Sequence, residues 1–139
     1  MSNKKKCLIA VAVFLVLLVI VFFVLWIEYG TLKREYLPDI AIPLEEGELV
    51  VREWGFLVGG GAEFYYRKEG KKKLQLLGQG STCDLYHPFE EGSYTVMQQG
   101  NEIFVRYCYR PKDPEIWHEL VLYLDGRKKS FKQVVVSSE

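Results

Sequence analysis

The sequence predicts a single N-terminal transmembrane α-helix followed by a small, mainly β domain. We expect this domain to be an antiparallel sandwich or barrel of about seven or eight short strands. Residues 7–27 form a run of 21 residues without a charge, an amide, a hydroxyl or a proline. From Glu48 onward, short apolar or alternating runs are broken by turn residues, a pattern typical of antiparallel sheets. The predicted segments are a basic leader (1–6), a span (7–27), a stalk (28–46) and a β domain (47–139).

The apolar run has the length of a bilayer core, because 21 helical residues extend about 31 Å. Lys4, Lys5 and Lys6 precede it, and basic flanks are retained on the cytoplasmic side. We therefore expect a single-pass protein of the cell membrane, with a cytoplasmic N-terminus and an extracytoplasmic C-terminal domain. A cleaved signal peptide is the alternative, but its apolar region is shorter and ends in small residues. Here the run ends in Trp26-Ile27-Glu28, which favours an uncleaved signal anchor embedded in the lipid bilayer.

The charges on the two sides of the span differ in sign. The chain has 18 basic and 18 acidic residues, and three of the basic ones are the lysines before the span. Residues 28–139 therefore carry 15 basic and 18 acidic side chains, a formal charge of −3. Nucleic-acid binding needs a concentrated positive surface, so we expect no nucleic-acid partner.

Residues 28–46 are predicted to form the stalk. The helix could continue for about two turns to Tyr36, although Gly30 weakens it. Pro38 and Pro43 lack a backbone donor and favour extended residues before them. A semi-extended linker is therefore expected to end the stalk.

Two hairpins can be placed from local sequence. Residues 62–67 and 72–77 are predicted to pair around Glu69-Gly70. Residues 93–109 are predicted to pair around Gly100-Asn101, since both turn positions tolerate a positive φ. The second turn aligns three pairs on one mostly apolar face: Tyr94 with Tyr107, Val96 with Val105, and Gln98 with Ile103.

Two further segments are less regular. Residues 84–87 are predicted to form a short strand that stops at Pro88. Residues 113–124 fit either a helix, because Asp113-Pro114-Glu115 is a good helix start, or a strand entering the Asp125-Gly126 turn. We favour one helical turn near Asp113 followed by a strand, with a last strand over 131–136.

The cysteines outside the span predict a disulfide. Cys83 and Cys108 are the only two beyond residue 27, and a pair in a small exported domain is most simply bonded. Closing a loop of about 25 residues would contribute about 3 kcal/mol. Free thiols are the alternative, in an organism that does not oxidise its envelope proteins.

Catalytic and metal sites receive little support from the sequence. Cys83, Asp84, His87, His118 and Glu119 lack the spacing of a known metal motif, so we expect no metal and no cofactor. The Gly59-Gly60-Gly61 triplet lacks the lysine and the helix of a phosphate-binding loop, which favours a bend, a bulge or a close backbone approach. A thiol enzyme would need Cys83 or Cys108 as a free thiolate near His87 or His118.

Basic residues cluster at two predicted turns. Arg67, Lys68, Lys71, Lys72 and Lys73 surround the first turn. Arg127, Lys128, Lys129 and Lys132 surround the second. Such clusters could contact anionic headgroups or wall polymers, but charges also keep hairpin tips soluble and strand edges unpaired, and we favour this second interpretation.

Aromatic residues are frequent in the β domain. Sixteen of the 20 aromatic residues lie beyond residue 27. Five are candidates for an exposed binding patch: Trp54, Phe56, Tyr65, Tyr66 and Trp117. The alternative is that they fill a thin β core.

The sequence therefore favours a membrane-anchored, non-catalytic binding domain. Its expected partner is another envelope protein or a wall component, and an immunity-type protein that neutralises a toxin fits the same pattern. The alternatives are a small envelope hydrolase or thiol enzyme using Cys83 or Cys108 with His87 or His118, and a structural subunit that uses the helix as well as the domain.

Overall fold

The chain folds into two compact units, Met1–Lys33 and Arg34–Glu139. The structure is a computed structural model that describes residues 2–30, 34–56, 59–83, 86–112 and 114–136, without the side chains of residues 29, 30 and 56. The first unit contains one helix, α1 (Asn3–Gly30). Its apolar residues are exposed from Cys7 to Trp26, and by length and composition the segment Asn3–Glu28 could cross a membrane.

The second unit contains two antiparallel sheets. The first sheet consists of β1 (Glu35–Tyr36), β2 (Ile40–Pro43), β3 (Glu48–Phe56), β4 (Gly59–Arg67) and β5 (Leu74–Thr82). The second sheet consists of β6 (Tyr94–Gln99), β7 (Glu102–Arg110), β8 (Glu115–Tyr123) and β9 (Ser130–Val136). The prediction of a helix followed by a mainly β domain is confirmed. The architecture is a sandwich, and the described strands do not close a barrel.

The strand order is simple. β3, β4 and β5 are neighbours in sequence order, and β1 and β2 both pair with the same edge of β3. β6 to β9 also follow one another in sequence order. The second sheet therefore has β6 and β9 at its edges, and β5 is an edge of the first sheet.

Alternating residues of the two sheets meet in one core. The first sheet contributes Leu49, Val51, Ala62 and Phe64. The second contributes Ile103, Val105, Tyr107, Leu120 and Leu122. Phe89 packs between them from the short helix α2 (Pro88–Glu91), with its ring centroid 5.5 Å from that of Phe64. Because strand residues alternate in direction, the residues between these core positions point to the outer faces.

Both predicted hairpins are confirmed. β6 and β7 pair as expected, with Tyr94 opposite Tyr107, Val96 opposite Val105 and Gln98 opposite Ile103. β4 and β5 form the other hairpin, with a bulge between Phe64 and Tyr65.

The predicted strand before Pro88 is wrong for the part that is described. Asp84 and Leu85 lie outside the described residues, and Tyr86 and His87 are not extended into a strand. Pro88 begins α2 instead, since proline suits the first turn of a helix. The buried carboxylate of Glu53 accepts hydrogen bonds from the backbone N–H groups of Phe89 (3.3 Å) and Glu90 (2.7 Å), which orients this turn.

Two other segments also differ from the expected layout. For residues 113–124, the structure has the strand that we favour, which begins at Glu115, and not a helix over the whole segment. The predicted helical turn near Asp113 cannot be compared, because Asp113 lies outside the described residues. The stalk predicted over 28–46 is largely part of the domain, because Tyr36 pairs with Trp54 and Ile40 pairs with Val51. Ile40 and Ile42 pack against the core, and this burial explains why the segment joins the sheet.

Candidate functional site

The candidate site lies on the outer face of the first sheet and is centred on Glu63. Glu63 is in β4 between the core residues Ala62 and Phe64, so its side chain points away from the core. It is nevertheless only 6% exposed. Side chains on the same outer face surround it and account for its burial. Together with Glu63, we call these residues the Glu63 cluster: Arg34, Tyr36, Arg52, Trp54 and Tyr65.

Three side chains contact the Glu63 carboxylate directly. The Tyr65 hydroxyl donates to Oε2 at 2.6 Å, and the Tyr36 hydroxyl donates to Oε1 at 3.4 Å. Arg34 Nη1 lies 3.5 Å from Oε1 and supplies a positive charge. A carboxylate removed from water needs such donors, because an unpaired buried charge is costly.

Arg52 links the cluster to the edge of the sheet. Its guanidinium binds Asp39 through two nearly parallel hydrogen bonds, Nε to Oδ1 at 2.8 Å and Nη2 to Oδ2 at 2.9 Å. The same guanidinium lies 5.1 Å from the centroid of the Tyr65 ring. The hydrogen bond from Arg52 lowers the pKa of Asp39, and the hydrogen bond to Glu63 is the largest of the causes that raise the pKa of Tyr65.

Trp54 lies flat against the neighbouring strand because Gly61 has no side chain. The two residues are opposite each other, and a Cβ on Gly61 would come within 2.5 Å of the Trp54 ring. The Arg34 guanidinium covers the ring at 4.0 Å from its centroid, a cation–π distance. The Gly59-Gly60-Gly61 triplet is thus the start of β4. At Gly61 it allows the Trp54 ring to approach the backbone closely, which is one of the roles predicted for the triplet from the sequence.

The five aromatic residues of the predicted patch are in different places. Trp54 and Tyr65 are brought together in the Glu63 cluster. Tyr66 is opposite the core residue Leu49, and its hydroxyl donates to the Glu46 carbonyl at 3.0 Å. Trp117 is on the outer face of the second sheet, and the side chain of Phe56 lies outside the described atoms.

The outer face of the second sheet has a different character. It contains a groove of about 430 Å³ whose apolar lining includes Met97, Phe104 and Val121. Arg106 and Glu119 border it and form an ion pair with a 3.6 Å separation. Arg106 also lies 5.0 Å from the centroid of Trp117.

The structure places Cys108 and His118 on opposite faces of the second sheet. Both Cys83 and Cys108 are free in the structure, so the disulfide remains a prediction, which counting alkylatable thiols in freshly prepared protein would test. Burial and the nearby Glu115 carboxylate raise the pKa of the Cys108 thiol. Cys108 is opposite Trp117 in the β7–β8 ladder, whereas His118 follows Trp117 and points to the other face.

His118 is buried and is held between Tyr107 and Tyr109. The Tyr107 hydroxyl donates to the Ser81 carbonyl at 2.7 Å and lies 3.1 Å from His118 Nδ1. Because a hydroxyl has one proton, His118 Nδ1–H is the donor in the second contact. Tyr109 stacks on the imidazole with centroids 4.3 Å apart, and burial lowers the pKa of His118.

No metal site forms in the part of the chain that the structure describes, where no group of three or more His, Cys, Asp or Glu side chains could hold an ion. Asp84, one of the five residues considered as metal ligands from the sequence, lies outside those residues. His87 precedes α2, and a Cβ on Gly55 would lie 3.4 Å from its ring.

The basic residues of the first predicted turn connect β4 and β5. Arg67 forms an ion pair with Glu48. Lys68 and residues 71–73 are exposed. An open groove of about 390 Å³ beside this turn is lined by both Glu and Lys side chains, so the surface there is of mixed charge.

Comparison of the chain with protein-family models, with curated proteins and with solved structures found no match. The assignment of function therefore depends on the geometry of the chain itself. Of the cluster residues, Trp54 and Tyr65 are predicted from the sequence as patch residues, whereas Glu63, Arg34, Tyr36 and Arg52 are not. The only local sign of this site is that Glu63 takes an outward position in a strand two residues before Tyr65. The burial of Glu63 depends on residues up to 29 positions away in the sequence, which a local pattern does not indicate.

Proposed function

We propose that this chain is a membrane-anchored, non-catalytic binding protein that captures another envelope protein on the Glu63 cluster. The helix α1 anchors it in the cell membrane, and the lysines before the helix favour an extracytoplasmic β domain. The observation that carries the proposal is the cluster itself. Tyr, Trp and Arg are the residue types that dominate the energetics of protein interfaces. Here the buried Glu63 carboxylate bonds Tyr36, Tyr65 and Arg34, and Arg34 in turn covers the Trp54 ring.

The order of the cluster supports protein binding rather than catalysis. Tyr36 is 53% exposed, yet its hydroxyl is bonded to Glu63. Arg52 is fixed by two bonds to Asp39. Side chains that are already fixed lose less conformational freedom on binding, so more of the contact energy is retained as affinity.

The connection to the helix supports action near the membrane. Residues 31–33 are the only ones between the end of α1 and Arg34, the first member of the cluster. So short a segment can extend only about 14 Å. We therefore expect the partner to be a protein within reach of the membrane surface.

Site-specific photo-crosslinking of the full chain in its own membranes tests this proposal. The crosslinker replaces Tyr36 on the first sheet, and in a matched protein it replaces Met97, which is 57% exposed on the outer face of the second sheet. We expect a discrete protein adduct from position 36 and none from position 97. No adduct from position 36, or the same adduct from both positions, contradicts the proposal.

A second measurement identifies the contribution of the cluster. With the crosslinker at position 36, Arg52→Ala should reduce the adduct about tenfold or more, as expected for an interface hot spot. Arg106→Ala removes an equivalent arginine from the other face and should leave the adduct unchanged. Replacing residues 7–27 with an unrelated span should also leave it unchanged, and loss of the adduct there favours the structural-subunit alternative.

A further inference from the structure

The edge strand β9 of the second sheet receives no strand and no hydrogen bond from outside its own sheet in the described chain, and Lys132 is its only charged side chain. In the first sheet, β1 and β2 cover the free edge of β3. At the other edge, the β5 carbonyls of Gln79 and Ser81 accept hydrogen bonds from Lys129 Nζ and the Tyr107 hydroxyl. At the β6 edge, the Gln98 side chain accepts a bond from the Glu45 backbone N–H at 2.9 Å, so the chain before β3 lies beside it. With seven residues, β9 is the longest edge strand in the described chain that receives no hydrogen bond from outside its own sheet.

β9 combines an open backbone edge with exposed apolar residues. Among the described residues, no side chain hydrogen-bonds to its backbone, and β8 is its only strand neighbour. Phe131 is 52% exposed and Val135 is 58% exposed, and both are on the face of the strand that carries the core residues of β8. Edge strands of this kind are templates for pairing with another strand.

We propose that β9 pairs antiparallel with β9 of a second copy of this chain, in the register centred on Gln133. The pairing joins the two four-stranded sheets into one sheet of eight strands. It is isologous, since each copy contributes the same strand to a two-fold interface. The proposal does not depend on the partner proposed for the Glu63 cluster.

The sequence of β9 is complementary to itself in this register. Phe131 lies opposite Val135 of the second copy, an aromatic–β-branched pair that covers two exposed side chains. On the other face, Lys132 lies opposite Val134, so no like charges are opposed. All seven residues of β9 are paired.

Other registers are less favourable. Centring on Lys132 opposes the two lysines directly, which is destabilising. Centring on Val134 leaves Phe131 outside the strand residues of the second copy. A second copy therefore meets this edge in one register with apolar side chains opposite each other and no like charges opposed.

Cysteine crosslinking of the full chain in detergent micelles tests the register. In a Cys7→Ser background, Gln133→Cys places two cysteines opposite each other across the two-fold axis, at about 4.5–5.5 Å between Cα atoms, within disulfide reach. Lys132→Cys is the matched control, since its diagonal separation exceeds about 7 Å. Under mild oxidation we expect several-fold more disulfide-linked dimer from position 133 than from position 132 or from the background protein.

A charge substitution tests whether the same interface forms without a covalent bond. Val134→Lys opposes Lys132 of the second copy twice per dimer, and should raise the dimer dissociation constant about fivefold or more. Ser130→Lys adds the same charge to the same strand and face, but opposes Val136, and should have little effect. Sedimentation of the full chain in micelles measures both constants.

Three results would overturn the proposal. The first is a chain that is monomeric at all concentrations tested, which would leave the edge to a different partner strand. The second is equal crosslinking from positions 133 and 132. The third is a dimer unaffected by Val134→Lys, which would place the contact elsewhere, for example in α1.

Discussion

The two outer faces of the sandwich present different surfaces on the same architecture. On the first sheet, polar and aromatic side chains are tied together around the buried carboxylate of Glu63. On the second sheet, an apolar groove is bordered by an ion pair between the exposed side chains of Arg106 and Glu119. The comparison teaches that exposure alone does not identify a site: Tyr36 and Met97 are similarly exposed, but only Tyr36 is hydrogen-bonded to a buried group.

Removing the central carboxylate should have the largest effect. Glu63→Leu leaves Tyr36, Tyr65 and Arg34 without their common acceptor, and we expect the free energy of unfolding to fall by about 2–3 kcal/mol. Urea unfolding followed by tryptophan fluorescence measures it. Glu119→Leu, the matched change on the second sheet, removes only an exposed ion pair and should cost about 0.5 kcal/mol or less. Equal losses would remove the distinction between the faces.

A methyl group under Trp54 should have the next largest effect. Gly61→Ala places a Cβ within 2.5 Å of the indole ring and 3.0 Å from the Gly80 carbonyl oxygen, and relieving these contacts should cost about 1–2 kcal/mol. Gly78→Ala is the control, because its Cβ would meet only side-chain atoms of Leu122 and Lys129 at 3.1 Å. The same urea experiment compares them, and an equal or smaller cost for Gly61→Ala would mean that Trp54 is not held against β4.

Acidification should act on the second sheet. Burial lowers the pKa of His118, so below about pH 6.5 the unfolded chain takes up a proton that the folded chain does not. The neutral His118 side chain therefore contributes stability above about pH 6.5, and this contribution is lost as the pH falls below that value. Unfolding free energies measured between pH 7 and pH 5 should therefore decrease, and His118→Gln should reduce the slope. An unchanged slope in His118→Gln would contradict this assignment.

Alkaline conditions should act on both sheets, but less on the first. The pKa values of Tyr107 and Tyr65 are both raised, mainly by burial for Tyr107 and by the bond to Glu63 for Tyr65. A raised tyrosine pKa gives stability that is complete below about pH 10 and is lost above it. Stability measured from pH 9 to pH 11 should fall less steeply in Tyr107→Phe, and to a smaller extent in Tyr65→Phe. The reverse order would place the stronger interaction on the first sheet.

The features that the sequence predicted correctly depend on neighbouring residues. The β6–β7 hairpin was placed in its correct register because the Gly100-Asn101 turn and the alternation on either side are local signals. The apolar helix was recognised for the same reason, since length and composition are properties of one continuous segment.

The features that the sequence missed depend on distant residues. Ile40 and Ile42 alternate as a strand does, but two prolines and a short length made them look like a linker until β3 supplied a partner. Pro88 was interpreted as a strand end because the carboxylate that binds the first turn of α2 comes from Glu53. Glu63 is buried by Arg34 and Tyr36, and nothing near Glu63 in the sequence indicates these contacts.

The split edge of the first sheet has a mechanical consequence. β1 has two residues and directly follows the segment that joins the domain to α1. A force applied through the helix would load this short strand first and would peel its bonds one after another, starting beside Gly55. Arg34 and Tyr36 would leave Glu63 before the rest of the sheet is disturbed. Tension applied through α1 would thus take the Glu63 cluster apart while the sandwich remains folded.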